Sequence, residues 1–221
     1  MSLRPKLRAL RTFREDGQTL VLRERGDTFD LVIGTVVLLS SAALETERLF
    51  GHLARDLSDV PPQRIVVGGL GFAATVRGVL DVVPATCRVR VVEKLATVID
   101  LARGDLAHLT AGALDDPRVE VTRGDVLDVL AEERDVDAVL LDVDNGPNWA
   151  SFRTNARLYA PAGLKVVRDA LRPGGALAVW SGYPAEPFIA TLRAARFAPS
   201  VVPLHERGVL RARAYIGRRT D

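Results

Sequence analysis

The stretch Arg64-Ile65-Val66-Val67-Gly68-Gly69-Leu70-Gly71-Phe72-Ala73-Ala74 decides how the chain is read. Ile65, Val66 and Val67 form an unbroken β-branched run, the pattern of a short strand buried on both faces. Three glycines then interrupt it, and from Ala73 to Leu80 the apolar spacing becomes helical. A strand that passes through glycines into a helix builds a turn able to hold a phosphate or a nucleoside. Gly69, Gly71 and Ala74 take the G-x-G-x-x-G/A spacing, and Gly68 precedes them. Glycine lets the backbone turn tightly and approach a ligand closely, while the helix N-terminus presents unpaired N–H groups. The same pattern also fits a strand–helix turn that holds no ligand.

Downstream, strand and helix patterns alternate. Strands are expected at Ile65–Val67, Arg88–Val92, Val119–Thr122, Ala138–Leu141 and Ala176–Trp180. Helices are expected from the glycine turn to about Val82 and over 96–109, 126–133, 162–171 and 187–195. Such alternation makes a mostly parallel sheet covered by helices, an α/β Rossmann-like domain over residues 61–221. The segments 200–204 and 210–216, around Arg207-Gly208, read as a closing antiparallel hairpin.

Upstream, residues 1–60 read as a small β appendage with a linking helix. Gln18–Glu24 and Thr28–Ile33 flank a Gly26-Asp27 turn, Leu7–Phe13 is a strand or a helical turn, and Thr35–Leu39 is β-rich. Ser40-Ser41 is expected to cap a helix over 42–57, with Leu44, Leu49, Leu53 and Leu57 on one face. So small a β unit cannot stand alone and needs the main domain or a second subunit to cover it. A homodimer is therefore expected.

Composition excludes several classes. The chain has 221 residues, 48% hydrophobic and 26% charged, as expected of an ordinary globular protein with a full core. Lys and Arg number 30 against 28 Asp and Glu, spread without a basic block, so no nucleic-acid partner is expected. Cys87 is the single cysteine, which excludes an internal disulfide and a cysteine-based metal cluster and fits a reducing cytoplasm. The basic start MSLRPKLRALRTFRED lacks the apolar core of a secretory signal, and no apolar run reaches the length of a membrane span. Neither a metal nor a membrane partner is expected.

The carboxylates at strand ends carry the chemistry, because ligands of open α/β sheets sit at the carboxyl ends of the strands. Glu93 closes the second strand, 24 residues beyond Gly69, where a carboxylate can accept both hydroxyl hydrogens of a ribose. Its alternative is a solvated strand-end acid. Asp125, after Gly124, can meet an adenine amino group or cap the next helix. Asp142 and Asp144 end the fourth strand and can converge on a reacting amine, or simply cap a loop. Dinucleotides and sulfonium nucleosides both suit this layout. The antiparallel tail favours the second, as in class I S-adenosylmethionine methyltransferase-like domains.

The runs VVGGLG, VVEK, DPRVEVTRGD, LLDVDNGP and LYAPAGLKVVRDALRPGGALAVW together resemble the spermidine synthase (polyamine aminopropyltransferase) family, over about Val60–Arg218. The resemblance implies a domain that binds decarboxylated S-adenosylmethionine and an aspartate in the loop after the fourth strand that deprotonates the attacking amine. It assigns Gly69 and Gly71 to the donor turn, Glu93 to the ribose, Asp125 to the adenine region and Asp142 to the active-site loop, where the family usually carries two aspartates three apart and this chain has Asp142 and Asp144 two apart. It places Tyr159 near the acceptor pocket, although simple packing explains a tyrosine there equally well. Trp149 and Trp180 could wall the site or belong to a core or lid. The chain departs from the family at the turn, where GGLGFA replaces GGGDGG, so that Gly71 or Phe72 stands in place of an aspartate. The tyrosine and glutamine usual ahead of the turn become Thr46 and Glu47.

Amine attack on a carbon beside a sulfonium releases a neutral thioether, which needs no acid, but the nucleophile must lose a proton. Carboxylates at the fourth strand suit that task. The leading expectation is therefore aminopropyl transfer to a polyamine or related amine. Methyl transfer from S-adenosylmethionine to a small molecule, and a non-catalytic nucleoside-binding scaffold, are the alternatives.

Overall fold

The β-branched run at Ile65–Val67 is fully enclosed because it lies at the middle of a sheet whose two faces are both covered. In the computed structural model, residues 7–42, 44–143, 146–147 and 155–221 are described. The first four strands, β1 (Leu7–Glu15), β2 (Gln18–Arg25), β3 (Thr28–Ile33) and β4 (Val36–Ser40), form an antiparallel meander in sequence order. Helix α1 (Glu45–His52), prolonged by a 3₁₀ turn at Leu53–Arg55, leads into the main sheet. The segment expected to be strand or helical turn at Leu7–Phe13 is a strand, paired along its length with β2.

The main sheet contains β5 (Arg64–Gly68), β6 (Arg88–Glu93), β7 (Val119–Arg123), β8 (Val136–Leu141), β9 (Leu171–Ser181), β10 (Phe197–Glu206) and β11 (Val209–Arg219). Its order is β10-β11-β9-β8-β5-β6-β7. The strands from β9 to β7 pair in parallel, and β11 pairs antiparallel to both β9 and β10. The helices are α2 (Ala74–Val82), α3 (Ala96–Arg103), α4 (Ala107–Thr110), α5 (Val126–Glu132), α6 (Ala156–Tyr159), α7 (Pro161–Ala170) and α8 (Pro187–Ala194). The chain runs outward from β5 through β6 to β7, then returns to the other side of β5 as β8. The sheet therefore has its topological switch point between β5 and β8, where such folds open a ligand crevice.

Two differences from the sequence reading have local causes. Helix α1 begins at Glu45 and not near Ala42, because Ser41 is engaged elsewhere: its Oγ accepts the Phe29 N–H at 2.8 Å, closing the end of the meander. The expected helix over 96–109 breaks at Gly104, whose φ and ψ of −111° and −111° end α3 before α4 begins.

The small meander stands on the main domain. Leu20, Leu22 and Leu31 are buried in one cluster with Leu70, Phe72 and Phe50. Burial of side chains of this size stabilises by roughly 1.5–3 kcal/mol each. Glu15, at the end of β1, accepts the N–H groups of Ala96 at 2.6 Å and Thr97 at 2.9 Å, so it caps α3 from outside that helix. Burial alone would raise its carboxyl, but the bonds from Thr97 and Ala96 and the Arg123 charge hold it below the ordinary glutamate range. No described helix is long and apolar enough to cross a membrane.

Candidate active site

The glycine turn forms as its spacing predicts, yet each glycine answers a different constraint. Gly68 ends β5 between Leu141 and Val126, where a Cβ would come within 2.9 Å of the Leu141 Cδ2. Gly69 has φ of 91°, and a Cβ there would lie 2.1 Å from the Asp142 carbonyl oxygen. Gly71, at φ 49°, has only the Leu39 Cδ2 near the place of a Cβ, at 3.6 Å. Thus Gly69 is required by the approach of β8, while at Gly71 the positive φ, not a close neighbour, favours glycine. Phe72 points the other way, into the core beneath the meander, at 4% exposure. Of the two positions that could stand for the family's aspartate, it is Gly71 that faces the cavity.

That cavity has a volume of about 330 Å³, at the lower end of the range that holds small molecules. Gly69, Gly71, Glu93, Gly124, Asp125 and Asp142 all line it, as do Leu38 and Leu39 of the meander. Gly68 and Tyr159 are set back from it. Tyr159 is buried with its ring edge against Phe188, centroids 5.8 Å apart, and the preceding Leu158 lines the cavity. Trp180 packs against the core beside the meander. Asp144 and Trp149 lie outside the described residues.

Glu93 stands at the end of β6. Its Oε2 accepts the Leu70 N–H of the glycine turn at 3.0 Å, and its Oε1 accepts the Leu95 N–H at 2.8 Å. Desolvation lifts its carboxyl above the ordinary range, against the downward pull of the Leu95, Leu70 and Lys94 N–H groups. Each oxygen keeps a lone pair for a further donor, so two vicinal hydroxyls fit this carboxylate. Asp125 caps α5 through Oδ1, which accepts the Leu127 N–H at 3.0 Å. Its Oδ2 is held by Arg157 of α6 at 2.6 Å, with Lys94 at 3.9 Å. The capping alternative is therefore realised, and a ligand amino group would have to share Oδ2 with Arg157.

Asp142 follows β8, and its N–H donates to the Gly68 carbonyl at 2.8 Å. Its Oδ2 accepts the hydroxyl of Thr75, in the first turn of α2, at 2.5 Å. Burial pushes the Asp142 carboxyl up to about 6, although the Thr75 bond pulls it down. Glu47 of α1 is held well above the ordinary glutamate range, first by burial and then by the Asp142 charge. Two neighbouring carboxylates resist being ionised together, so one proton is retained between them at neutral pH. Among the described residues, no group of three or more His, Cys, Asp or Glu is arranged to hold a metal ion.

No protein-family model matches the chain. A polyamine aminopropyltransferase of Aeropyrum pernix is 34% identical over 132 residues, covering 56% of this chain and 38% of that protein. One from Mycobacterium tuberculosis (strain CDC 1551) is 30% identical over 200 residues, covering 85% of this chain and 36% of that protein. The chain thus spans less than two fifths of the length of these two relatives. Among solved structures, spermidine synthase from Thermotoga maritima superposes with a TM-score of 0.76 at 16% identity, covering 96% of this chain and 72% of that one. A spermidine synthase in complex with the transition state analogue AdoDATO gives a TM-score of 0.75 at 17% identity, with the same coverage.

The chain has a spermidine synthase-like fold. In this spermidine synthase-like fold the meander and the carboxyl ends of β5, β6, β7 and β8 together line the cavity. Of the residues singled out from the sequence, Gly69, Gly71, Glu93, Gly124, Asp125 and Asp142 come together. Thr75, Arg157 and Glu15 gave no sequence signal: each is an ordinary helix or strand residue whose partner is distant in the chain, 67 positions away for Thr75 and Asp142. Glu47 was marked only by its place in the family's pattern.

Proposed function

We propose that the chain is a transferase that moves the aminopropyl group of decarboxylated S-adenosylmethionine to an amine acceptor of the polyamine class. The observation that carries this reading is the placement of Glu93 and Asp142 on one cavity at the switch point of the sheet. Glu93 receives the ribose hydroxyls, the glycine turn runs beside the nucleoside, and Asp142 faces the reacting amine. The amine nitrogen attacks the propyl carbon attached to sulfur. The electrons of the C–S bond pass to sulfur, which leaves as a neutral thioether, and the nitrogen's proton passes to the Asp142 carboxylate. Holding donor and acceptor in line supplies much of the acceleration. The names of the relatives support the same reaction class.

Gly71 is the feature on which methyl transfer from intact S-adenosylmethionine would rest, since no side chain at that position holds an ammonium or repels a carboxylate. Isothermal titration with the intact and decarboxylated donors tests the choice. The decarboxylated donor is expected to bind more tightly. A tenfold preference for the intact one, about 1.4 kcal/mol, overturns aminopropyl transfer, and no binding of either favours a non-catalytic scaffold.

The proposal includes a homodimer in the cytoplasm. Leu7 and Leu10 of β1 and Val36 and Val37 of β4 are exposed on the two edge strands of the meander, where a second copy would cover them. Sedimentation velocity at micromolar concentration is expected to give the mass of a dimer. A monomer there overturns that part.

A further inference from the structure

Asp142 is fixed at three points by the stretch that opens the domain. Its N–H is bonded to the Gly68 carbonyl at 2.8 Å. Its own carbonyl fills the space left by the missing Cβ of Gly69. Its Oδ2 meets the hydroxyl of Thr75, a side chain only 3% exposed. The Thr75 hydroxyl has a second neighbour, the Glu47 backbone carbonyl, at 3.2 Å. A hydroxyl has one hydrogen to give, and Thr75 gives it to the charged neighbour, Oδ2, when Asp142 is ionised. A proton that reaches Asp142 from the cavity sits on the other oxygen, so Oδ2 stays paired with Thr75 and the carboxyl keeps one orientation in both states.

We propose that Thr75 is a positioning residue for Asp142, holding its carboxyl in a single orientation through both halves of a proton transfer. The proposal rests on the reading of Asp142 as the proton acceptor in aminopropyl transfer. The charged groups around the pair are few among the described residues. Glu47 faces it from α1 and keeps its proton while Asp142 titrates. Glu93 of β6 is tied to Leu70 and Leu95, and Asp125 at the head of α5 is tied to Arg157, with Lys94 beside it. Glu15 of β1 is tied to the start of α3. Glu93, Asp125 and Glu15 have their own partners, so among the described residues the hydroxyl of Thr75 is the group that offsets the burial of the Asp142 carboxylate.

The test compares Thr75→Val, which keeps the shape and removes the hydroxyl, with Thr75→Ser, which keeps the hydroxyl. Two quantities are read: the titration of the Asp142 carboxyl carbon by NMR in aspartate-labelled protein, assigned with Asp142→Asn, and the pH profile of kcat/KM. In Thr75→Val the carboxyl is expected to titrate about one pH unit higher, because a bond to the ionised form is gone. The acid limb of kcat/KM should move by the same amount, a drop of about tenfold at any pH below it. Thr75→Ser should restore both. Unchanged titration in Thr75→Val overturns the proposal, as does a Thr75→Ser that behaves like Thr75→Val. If the titration moves as expected while no variant, nor the parent protein, transfers an aminopropyl group, the positioning role stands and the reading of the reaction falls.

Discussion

The two ends of the cavity treat their carboxylates differently. At the β6–β7 end, both oxygens of Glu93 accept backbone N–H groups, and both oxygens of Asp125 are occupied, one by the α5 cap and one by Arg157. At the β5–β8 end, the Asp142 carboxyl accepts from Thr75 alone among the described residues and has the carboxyl of Glu47, not a cation, as its charged neighbour. The first arrangement is stable without a ligand and suits binding. The second is costly without one, because a desolvated carboxylate with one donor is poorly compensated. Groups whose environment raises their pKa in this way are suited to move protons near neutral pH.

The difference can be broken most sharply by removing the reactive carboxylate. Asp142→Asn is expected to lower turnover by about 100-fold or more while leaving donor affinity within about threefold; single-turnover rates and titration calorimetry separate the two. At the other end, Glu93→Ala should act in reverse. Donor affinity should fall by about tenfold, or 1.4 kcal/mol, with a smaller change in the rate of bound complex. If Glu93→Ala spares binding and abolishes turnover, the two ends have been assigned the wrong way round.

Stability should separate the ends as well. Asp125→Ala loses the α5 cap and should cost about 1 kcal/mol in urea denaturation. Asp142→Asn should do the opposite at pH 8. The Asp142 carboxyl titrates at about 6 in the folded protein against an ordinary value of 3.8. A raised folded value means that its contribution to stability is fully present below pH 3.8 and is lost as pH rises through about 6. Above that pH the parent carries a desolvated charge that asparagine lacks, so the variant should gain on the order of 1 kcal/mol, and the gain should disappear near pH 4. Equal destabilisation by both substitutions at pH 8 would erase the distinction.

The smallest effect is expected from Arg157→Ala. Arg157 is half exposed, and its pair with Asp125 should contribute only a few tenths of a kcal/mol to stability. Freeing Asp125 Oδ2 should leave donor affinity unchanged or slightly higher. A marked loss of donor binding would mean that Arg157 itself touches the nucleoside.

Much of this framework was legible in residue pattern. The run Ile65–Val67, the Gly69/Gly71 spacing and the acids at the ends of β6 and β8 are local signals, because strand burial and turn geometry depend on adjacent residues. The break at Gly104 and the late start of α1 were not. Ser41 looks like a helix cap until Phe29, 12 residues away, takes its hydroxyl. Asp125 carried two readings, and the choice depended on Leu127, two residues on, and on Arg157, 32 residues away in the chain. Gly71 and Phe72 were equally good candidates for the vacant acidic position until the turn directed one to the cavity and the other under the meander.

The amino-acid sequence by itself determined the α/β class, the position of the glycine turn and the strand ends at which acids gather. These follow from periodicity and from the few residues that tolerate a tight turn. Tertiary structure alone decided what the turn is for. Gly69 is small because the Asp142 carbonyl must pass within reach of it, and Thr75 in the following helix holds the carboxylate that this approach delivers. Such a role depends on two strands meeting at the switch point and on the desolvation that their meeting imposes. Neither can be counted along a single chain, because both arise from residues that only folding brings together.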